Sequence, residues 1–328
     1  MHGQFRNSGE PYVVHCVEAA RIMAALLPPD VNGKKKYVDA VVACILHDVV
    51  DDTECAIEDV EAEFGSTVAK LVTDVSKLGN DEDRGRMDTE ELVKLKKLLL
   101  FMVDDPRVFL IKVADRLHNM RTMYAVKPEK ARFVANETLQ VWCPVSEALG
   151  LLGANAEMED LAFAVKDPDA FRAIINARAS LNALASCRDA CMRSLQLDAI
   201  APGLRVDITG RLKSAYSTHL KMARKKIPFG AVCDARALRV VIGEPGPAPG
   251  TKDEVEACFV LLEAIHKLYR PVPGEYDDYV TNVKASGYQS LHTAVTGPDG
   301  ALLEVQVRTR AMHDAAEFGD AAHWIYKD

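Results

Sequence analysis

The 328-residue sequence predicts two domains of different class: an all-helical domain followed by an α+β domain built on a mixed sheet. Two observations carry this. From about residue 11 to about residue 200 apolar residues recur at helical spacing, as in YVVHCVEAARIMAALL, DVEAEFGSTVAKLVTDVSKL and DPRVFLIKVADRLHNMRTM. Beyond residue 203 the pattern alternates, and LRVDITG, ALRVVIG and LLEVQVRT read as strands.

The elements follow in order. Pro28-Pro29 and Gly65-Ser66 are stop signals between helices. The charged, glycine-containing stretch GNDEDRGRMD (79–88) predicts a solvated connection. DEVEACFVLLEAIHKLY (253–269) predicts one long amphipathic helix among the strands, and TGPDGALL a hairpin turn between TAV and LLEVQV. Domain boundaries are expected at 1–155, 156–202 and 203–328, the middle piece being a helical link. No internal repeat is evident.

Composition narrows the class. With 48% hydrophobic and 27% charged residues the chain can bury a core in each domain. A formal net charge of −8 argues against broad, sequence-independent nucleic-acid binding, which rests on a basic face. The eight cysteines are scattered, without C-x-x-C pairs, and are expected to be reduced, small apolar residues. No apolar run approaches a membrane span and no signal-peptide pattern opens the chain, so a soluble, intracellular protein is expected.

HDVVDDT (47–53) is the most informative stretch. On one continuous helix His47 and Asp51 are four apart, as are Asp48 and Asp52, which places all four on one flank. Ionised carboxylates in apolar surroundings pair, change protonation or bind metal. An imidazole and carboxylate donor set with room for water suits manganese, iron or magnesium better than a structural zinc. The alternative is a helix C-terminus fraying into solvent, although three acids there oppose the macrodipole. His15, in the apolar face of YVVHCVEAARIM, is either a satisfied core histidine or a further ligand. Asp115, four residues before Asn119 in KVADRLHNMRT, either pairs with a neighbour such as Arg116 or joins the same site.

In the second half Arg211, Lys213, Lys221, Arg224, Lys225 and Lys226 concentrate positive charge in an acidic chain, the last three also fitting a solvated helix face. Alternation in LLEVQVRT puts Glu304, Gln306 and Arg308 on one face. Asp234 begins the segment leading to the strand residues Val240 and Val241. Two carboxylates on neighbouring strands, facing bases, would hold a magnesium ion against a triphosphate. Salt bridges at a sheet edge are the other reading.

RNSGEPYVVH (6–15), ILHDVVDDT (45–53), FGSTVAKLVTDVSKL (64–78) and IKVADRLHNMRT (111–122) resemble the hydrolase half of the RelA/SpoT homologue family. TGRLKSAYSTHLKM (209–222), CDARALRVVI (233–242), PVPGEYDDYVTNVKASGYQSLHTAV (271–295) and LEVQVRTRAMHDAAEFGDAAHW (303–324) resemble its synthetase half. The resemblance implies an HD-type (p)ppGpp hydrolase domain at 1–155, a coupling segment, and a nucleotidyltransferase-like synthetase domain at 203–328. It implies pyrophosphate transfer from ATP to the 3′-hydroxyl of GDP or GTP, giving (p)ppGpp and AMP, and metal-dependent hydrolysis of (p)ppGpp to GDP or GTP and pyrophosphate. A synthetase with a weakened hydrolase domain and a non-catalytic guanine-nucleotide sensor are the alternatives.

By the same resemblance His15, His47, Asp48 and Asp115 match manganese ligands, Asp51 and Asp52 the acidic pair that activates water, and Arg6 and Asn119 nucleotide contacts. Asp234 and Glu304 match magnesium ligands, with Glu304 drawing the proton from the attacking hydroxyl. Arg211, Lys213 and Lys221 match contacts to the ATP phosphates, with Arg239 supporting; Tyr288 matches the residue that stacks on guanine; Lys284, Gln289 and His292 surround the acceptor nucleotide. There are departures. The acidic pair, usually Glu-Asp, is Asp51-Asp52, one methylene shorter at its first carboxylate, which weakens positioning. The usual R-x-K-D segment reads Glu275-Tyr276-Asp277-Asp278, expected as an acidic loop near the ATP phosphates that resembles mainly synthesising members. The chain opens where a preceding helix would support Arg6, and no regulatory region follows the synthetase motifs, so a catalytic fragment is expected. HCVEAARI and GEYDDYV resemble plastid-type members, which favours a plastid stroma over a bacterial cytoplasm.

Overall fold

The structure, a computed structural model, describes residues 3–27, 35–79, 104–179, 203–244, 251–285, 287–297 and 300–316. The stop signal at Pro28-Pro29, the connection at 80–88, the turn residues 298–299, most of the link up to 202 and the motif end at 317–324 lie outside the described residues. The chain divides into two compact units, one within Met1–Lys166 and one within Asp167–Glu317.

The first unit is helical among its described residues: α1 (Tyr12–Leu26), α2 (Lys35–Leu46), α3 (Val49–Asp52), α4 (Ile57–Phe64), α5 (Ser66–Gly79), α6 (Pro106–Arg121), α7 (Pro128–Glu137), α8 (Cys143–Ala148) and α9 (Leu152–Lys166). α6 is its axis. Val108, Phe109, Leu110, Ile111, Val113, Ala114, Leu117 and Met120 are all buried, so the helix is apolar nearly all round and packs against α1, α2, α5 and α9. It starts where Asp105 accepts from the Arg107 amide at 3.1 Å, with Pro106 in the first turn. Arg116 turns away from the pocket side of α6. It pairs with Glu137 at 3.3 Å and lies 4.9 Å from the centre of the Trp142 ring, which rules out the pairing of Asp115 with Arg116 as the use of that carboxylate.

The structure corrects one expectation here. HDVVDDT is not one continuous helix: α2 ends at Leu46, His47 and Asp48 form a turn, and α3 restarts at Val49. Consecutive residues of an α-helix point about 100° apart, and the turn changes the relative directions of His47 and Asp48 from those of an unbroken helix. In the turn His47 Nδ1 reaches back to the Cys44 carbonyl at 2.7 Å, while the Asp52 amide bonds the Asp48 carbonyl at 2.9 Å. The acids therefore open a short helix instead of ending a long one.

The second unit contains α10 (Pro168–Ala179), β1 (Val206–Leu212), α11 (Ala215–Lys225), β2 (Arg236–Ile242), α12 (Lys252–Leu268), β3 (Pro271–Asp278), β4 (Leu291–Thr296) and β5 (Leu302–Thr309). The five strands form one mixed sheet in the order β1-β2-β5-β4-β3, parallel only between β2 and β5. α12, the expected amphipathic helix, begins with a capping box between Thr251 and Glu254 and covers one face. Its Cys258, Leu261 and Ile265 pack with Leu238, Val240, Val305 and Val307 in the core. The alternate positions of the same strands face away from α12. Glu275–Asp278, expected as an acidic loop, belongs to edge strand β3, paired antiparallel with β4 through Tyr276–Thr293 and Asp277–His292. An outer strand tolerates proline because one side needs no ladder bond.

Among the described residues no helix is long and apolar enough to cross a membrane. Cys16, Cys44, Cys143, Cys233 and Cys258 are buried, as expected of small apolar residues, whereas Cys55 is half-buried. Because Leu261 is fully enclosed between α12 and the sheet, Leu261→Ala is expected to cost about 2–5 kcal/mol, read as an earlier transition in chemical denaturation.

Candidate active sites

Three pieces of the first unit converge on one pocket. α1 supplies Tyr12 and His15, the turn supplies His47 and Asp48, and α6 supplies Asp115, His118 and Asn119. His15 Nε2 lies 3.3 Å from Asp115 Oδ1 and 3.6 Å from Asp48 Oδ2. His47 Nε2 lies 3.0 Å from Asp48 Oδ2 and 3.7 Å from Asp115 Oδ1. Asn119 Nδ2 donates to Asp115 Oδ1 at 2.6 Å, and Tyr12 Oη donates to Asp48 Oδ2 at 2.8 Å. Arg6, on a segment closed by the Phe5–Pro11 bridge, donates to Asn119 Oδ1 at 2.5 Å and approaches His118 Nδ1 at 3.1 Å.

Asp51 and Asp52 are exposed on α3, at the rim of this group, where the Asp52 carboxylate reaches the Tyr12 phenol. Ser76 of α5 donates to Asp51 Oδ1 at 2.6 Å, and Gln4 holds the Asp52 carbonyl at 2.8 Å. Tyr12, His118 and Ser76 were not singled out from sequence. Spacing could have found the first two: Tyr12 is three residues before His15 and His118 three after Asp115, so each shares a helix face with a named residue.

The electrostatics are those of a cation site. Burial disfavours charge on His47, yet the nearby Asp115 and Asp48 outweigh it and carry its pKa up to about 10. His15 is also raised, burial being outweighed by Asp115 and Asp48. The converse holds for the acids: burial alone would raise Asp48 and Asp115, but His15 and His47 hold both below the usual carboxylate range. Burial, then the charges of His15 and Arg6, push His118 down to about 4, so it is a neutral ring. Burial and then Asp48 raise the Tyr12 phenol, which stays protonated and donates.

His47 decides whether a metal fits. With Nδ1–H given to the Cys44 carbonyl, Nε2 is the atom turned to the carboxylates, fully buried and 3.0 Å from Asp48 Oδ2. A lone pair facing two carboxylates is repulsive unless a proton or a cation lies between them. The ligand atoms of His15, His47 and Asp115 all lie within 4.8 Å of one another, as do those of Cys16, His47 and Asp48. The donor set therefore fits a divalent cation.

The second group stands on the sheet face opposite α12. Register places Thr209, Arg239, Gln306, His292 and Asp277 in one row across all five strands, and Arg211, Ala237, Glu304 and Ala294 in the next. Glu304 is thus flanked by two alanines, which leave space above it. Its Oε1 meets His292 Nδ1 at 3.2 Å and its Oε2 accepts from Gln306 Nε2 at 2.6 Å. Tyr288 Oη lies 2.8 Å from His292 Nε2, so Tyr288 donates to the ring and the ring donates to Glu304. Burial raises Glu304, but His292 and then Gln306 outweigh it and keep the carboxyl ionised.

Asp234 lies in the turn before β2, not on the strand, and receives Lys213 Nζ at 2.7 Å and Lys221 Nζ at 2.8 Å. These two ammonium groups outweigh burial and hold its pKa down. Lys284 Nζ sits 4.0 Å from the centre of the Tyr279 ring and 5.4 Å from that of Tyr288. Gln289 Nε2 is 3.4 Å from the Val280 carbonyl. Arg239 is half-buried in the row beside Gln306, and Arg211 lies on β1 opposite Ala237. Lys225 reaches Glu275 at 3.9 Å, while Arg224 and Lys226 are exposed, as a solvated helix end predicts.

Comparison with known proteins agrees with this division. Residues 1–152 match the HD domain model, and residues 210–328 match the model of the region found in RelA / SpoT proteins. The chain is 37% identical over 327 residues to the bifunctional (p)ppGpp synthase/hydrolase SpoT of Escherichia coli, covering 99% of this chain and 44% of the relative. It is 38% identical over 331 residues to a GTP pyrophosphokinase of Streptomyces coelicolor, covering 99% of this chain and 36% of the relative. The chain therefore spans less than half the length of these curated relatives.

Removing a direct metal ligand costs more than the about 10–100-fold lost with an outer-sphere partner. His47→Ala is therefore expected to abolish measurable divalent-cation binding to the first unit's pocket in titration calorimetry of the nucleotide-free protein.

Proposed function

We propose that this chain, a member of the RelA/SpoT family, both makes and destroys (p)ppGpp, with hydrolysis at the His-Asp pocket and synthesis on the open face of the sheet. The observation that carries the proposal is the buried Nε2 of His47 turned toward the carboxylates of Asp48 and Asp115, a place where either a proton or a cation must lie. His15, His47, Asp48 and Asp115 would hold manganese there. Bound, the ion supplies Lewis acidity and lowers the pKa of an attacking water. Asp51 and Asp52 take up the proton of that water. Arg6 and Asn119, already paired at 2.5 Å, present a guanidinium and an amide to the nucleotide.

For synthesis, Asp234 and Glu304 would bind magnesium, which neutralises triphosphate charge. Lys213 and Lys221 show that Asp234 is built to face positive charge, and they can transfer their donors to phosphate oxygens when ATP arrives. Ionised Glu304 accepts the proton of the 3′-hydroxyl of GDP or GTP as that oxygen attacks the β-phosphorus of ATP, and AMP leaves. Tyr288 stacks on guanine, with Lys284, Gln289 and His292 around it; Arg211 and Arg239 add charge for the phosphates. The tether of Asp51 to Ser76 favours a second reading, a synthetase whose hydrolase is slowed, because it draws one acid of the pair toward α5.

Chromatography of the two reactions tests the proposal. Asp48→Ala is expected to stop the release of GDP and pyrophosphate from ppGpp while leaving synthesis from ATP and GDP. Glu304→Gln is expected to do the reverse, lowering synthesis by about 100- to 10,000-fold, the usual share of a general base. A chelator stops hydrolysis and added manganese restores it. Wild-type protein that performs neither reaction contradicts the proposal, and intact synthesis without hydrolysis selects the second reading.

A further inference from the structure

His118 belongs to none of the roles above, yet it is buried against His15 and in reach of Arg6. Its Nδ1 lies 2.7 Å from His15 Nδ1 and 3.1 Å from Arg6 Nη1, so one ring nitrogen faces two groups at hydrogen-bond distance. Arginine has only donors and cannot be deprotonated in a protein. His118 Nδ1 must then be an acceptor and carry no proton. It follows that the atom 2.7 Å away, His15 Nδ1, is the donor, because two bare nitrogens at that distance repel. A histidine with its proton fixed on Nδ1 has its lone pair on Nε2, the atom aimed at Asp48 and Asp115.

We infer that His118 is a positioning residue for the metal pocket: held in one tautomer by Arg6, it fixes His15 with Nδ1 as donor and Nε2 free to bind a divalent cation. The inference rests on the proposal that this pocket holds a metal. The second histidine is set in the same way by a different partner, since the Cys44 carbonyl accepts from His47 Nδ1. A backbone carbonyl needs no further support, having only acceptor character. An imidazole can serve in the same position only if something keeps its nitrogen unprotonated, and Arg6 does this. Both ligand rings then present Nε2 inward before any cation arrives. An outer partner that orients a ligating histidine commonly accounts for about 10–100-fold in metal affinity.

The test compares His118→Leu with His118→Asn by manganese titration of the nucleotide-free protein, with thermal melting of the metal-free proteins as a control for folding. Asparagine places a carbonyl oxygen near where histidine has Nδ1 and can accept from both neighbours; leucine cannot. Affinity is expected to fall about 10–100-fold in His118→Leu and to remain at the wild-type level in His118→Asn. Wild-type affinity in His118→Leu would overturn the inference, and so would equal losses in both variants with unchanged melting. If His118→Leu melts early, the wild-type protein decides: labelled with [15N]histidine and loaded with diamagnetic zinc, it is expected to show coupling between the two Nδ1 atoms across the hydrogen bond. Absence of that coupling would overturn the tautomer assignment. Neither readout needs nucleotide or turnover. An inactive hydrolase therefore leaves the inference standing, and a failed inference leaves the hydrolase proposal standing.

Discussion

A histidine nitrogen shut away from water beside two carboxylates is the constraint on which the first unit depends. His47 gives Nδ1–H to a backbone carbonyl, and its other nitrogen is buried against the carboxylates of Asp48 and Asp115. Without a cation the pocket can only protonate, which is why both histidines are raised and both aspartates lowered. The helix break at His47 and Asp48, the apolar burial of α6 and the closure of the N-terminal segment around Arg6 all serve that one point of convergence.

The second unit meets a related problem by different means. One face of its sheet is sealed by α12, and Arg239, Glu304 and Asp277 stand on the other face. There the charges are neutralised internally, Asp234 by two lysines and Glu304 by a histidine and a glutamine. Such contacts are readily exchanged for phosphate and metal. The alanines beside Glu304 matter as much as the charges, since larger neighbours on β2 or β4 would fill the space above that carboxylate.

Much of this was legible in the sequence, and the exceptions have physical causes. The two classes of domain and the long helix α12 followed from periodicity; His47 and Asp48 stood out by residue type, whereas His15 and Asp115 were left open by spacing and were joined to them by the family resemblance. The break after Leu46 was not, because VVACILHDVVDD satisfies helical periodicity throughout and a turn of two residues leaves no mark on it. β3 was missed because Glu275–Asp278 was read as an acidic loop, its charges being compatible with a strand only at a sheet edge. His118 was passed over because a histidine beside a helix core has no distinguishing pattern; its partners are residues 6 and 15, more than a hundred positions away. The pairing of Arg116 with Glu137 and Trp142 was equally invisible, being a contact between distant turns.

The most direct test of the central claim is anomalous diffraction from crystals grown with manganese. The account predicts one strong peak in the first unit, within bonding distance of Nε2 of both His15 and His47 and of carboxylate oxygens of Asp48 and Asp115. A pocket with no peak at saturating manganese, and with His47 Nε2 hydrogen-bonded to Asp48 instead, would contradict it.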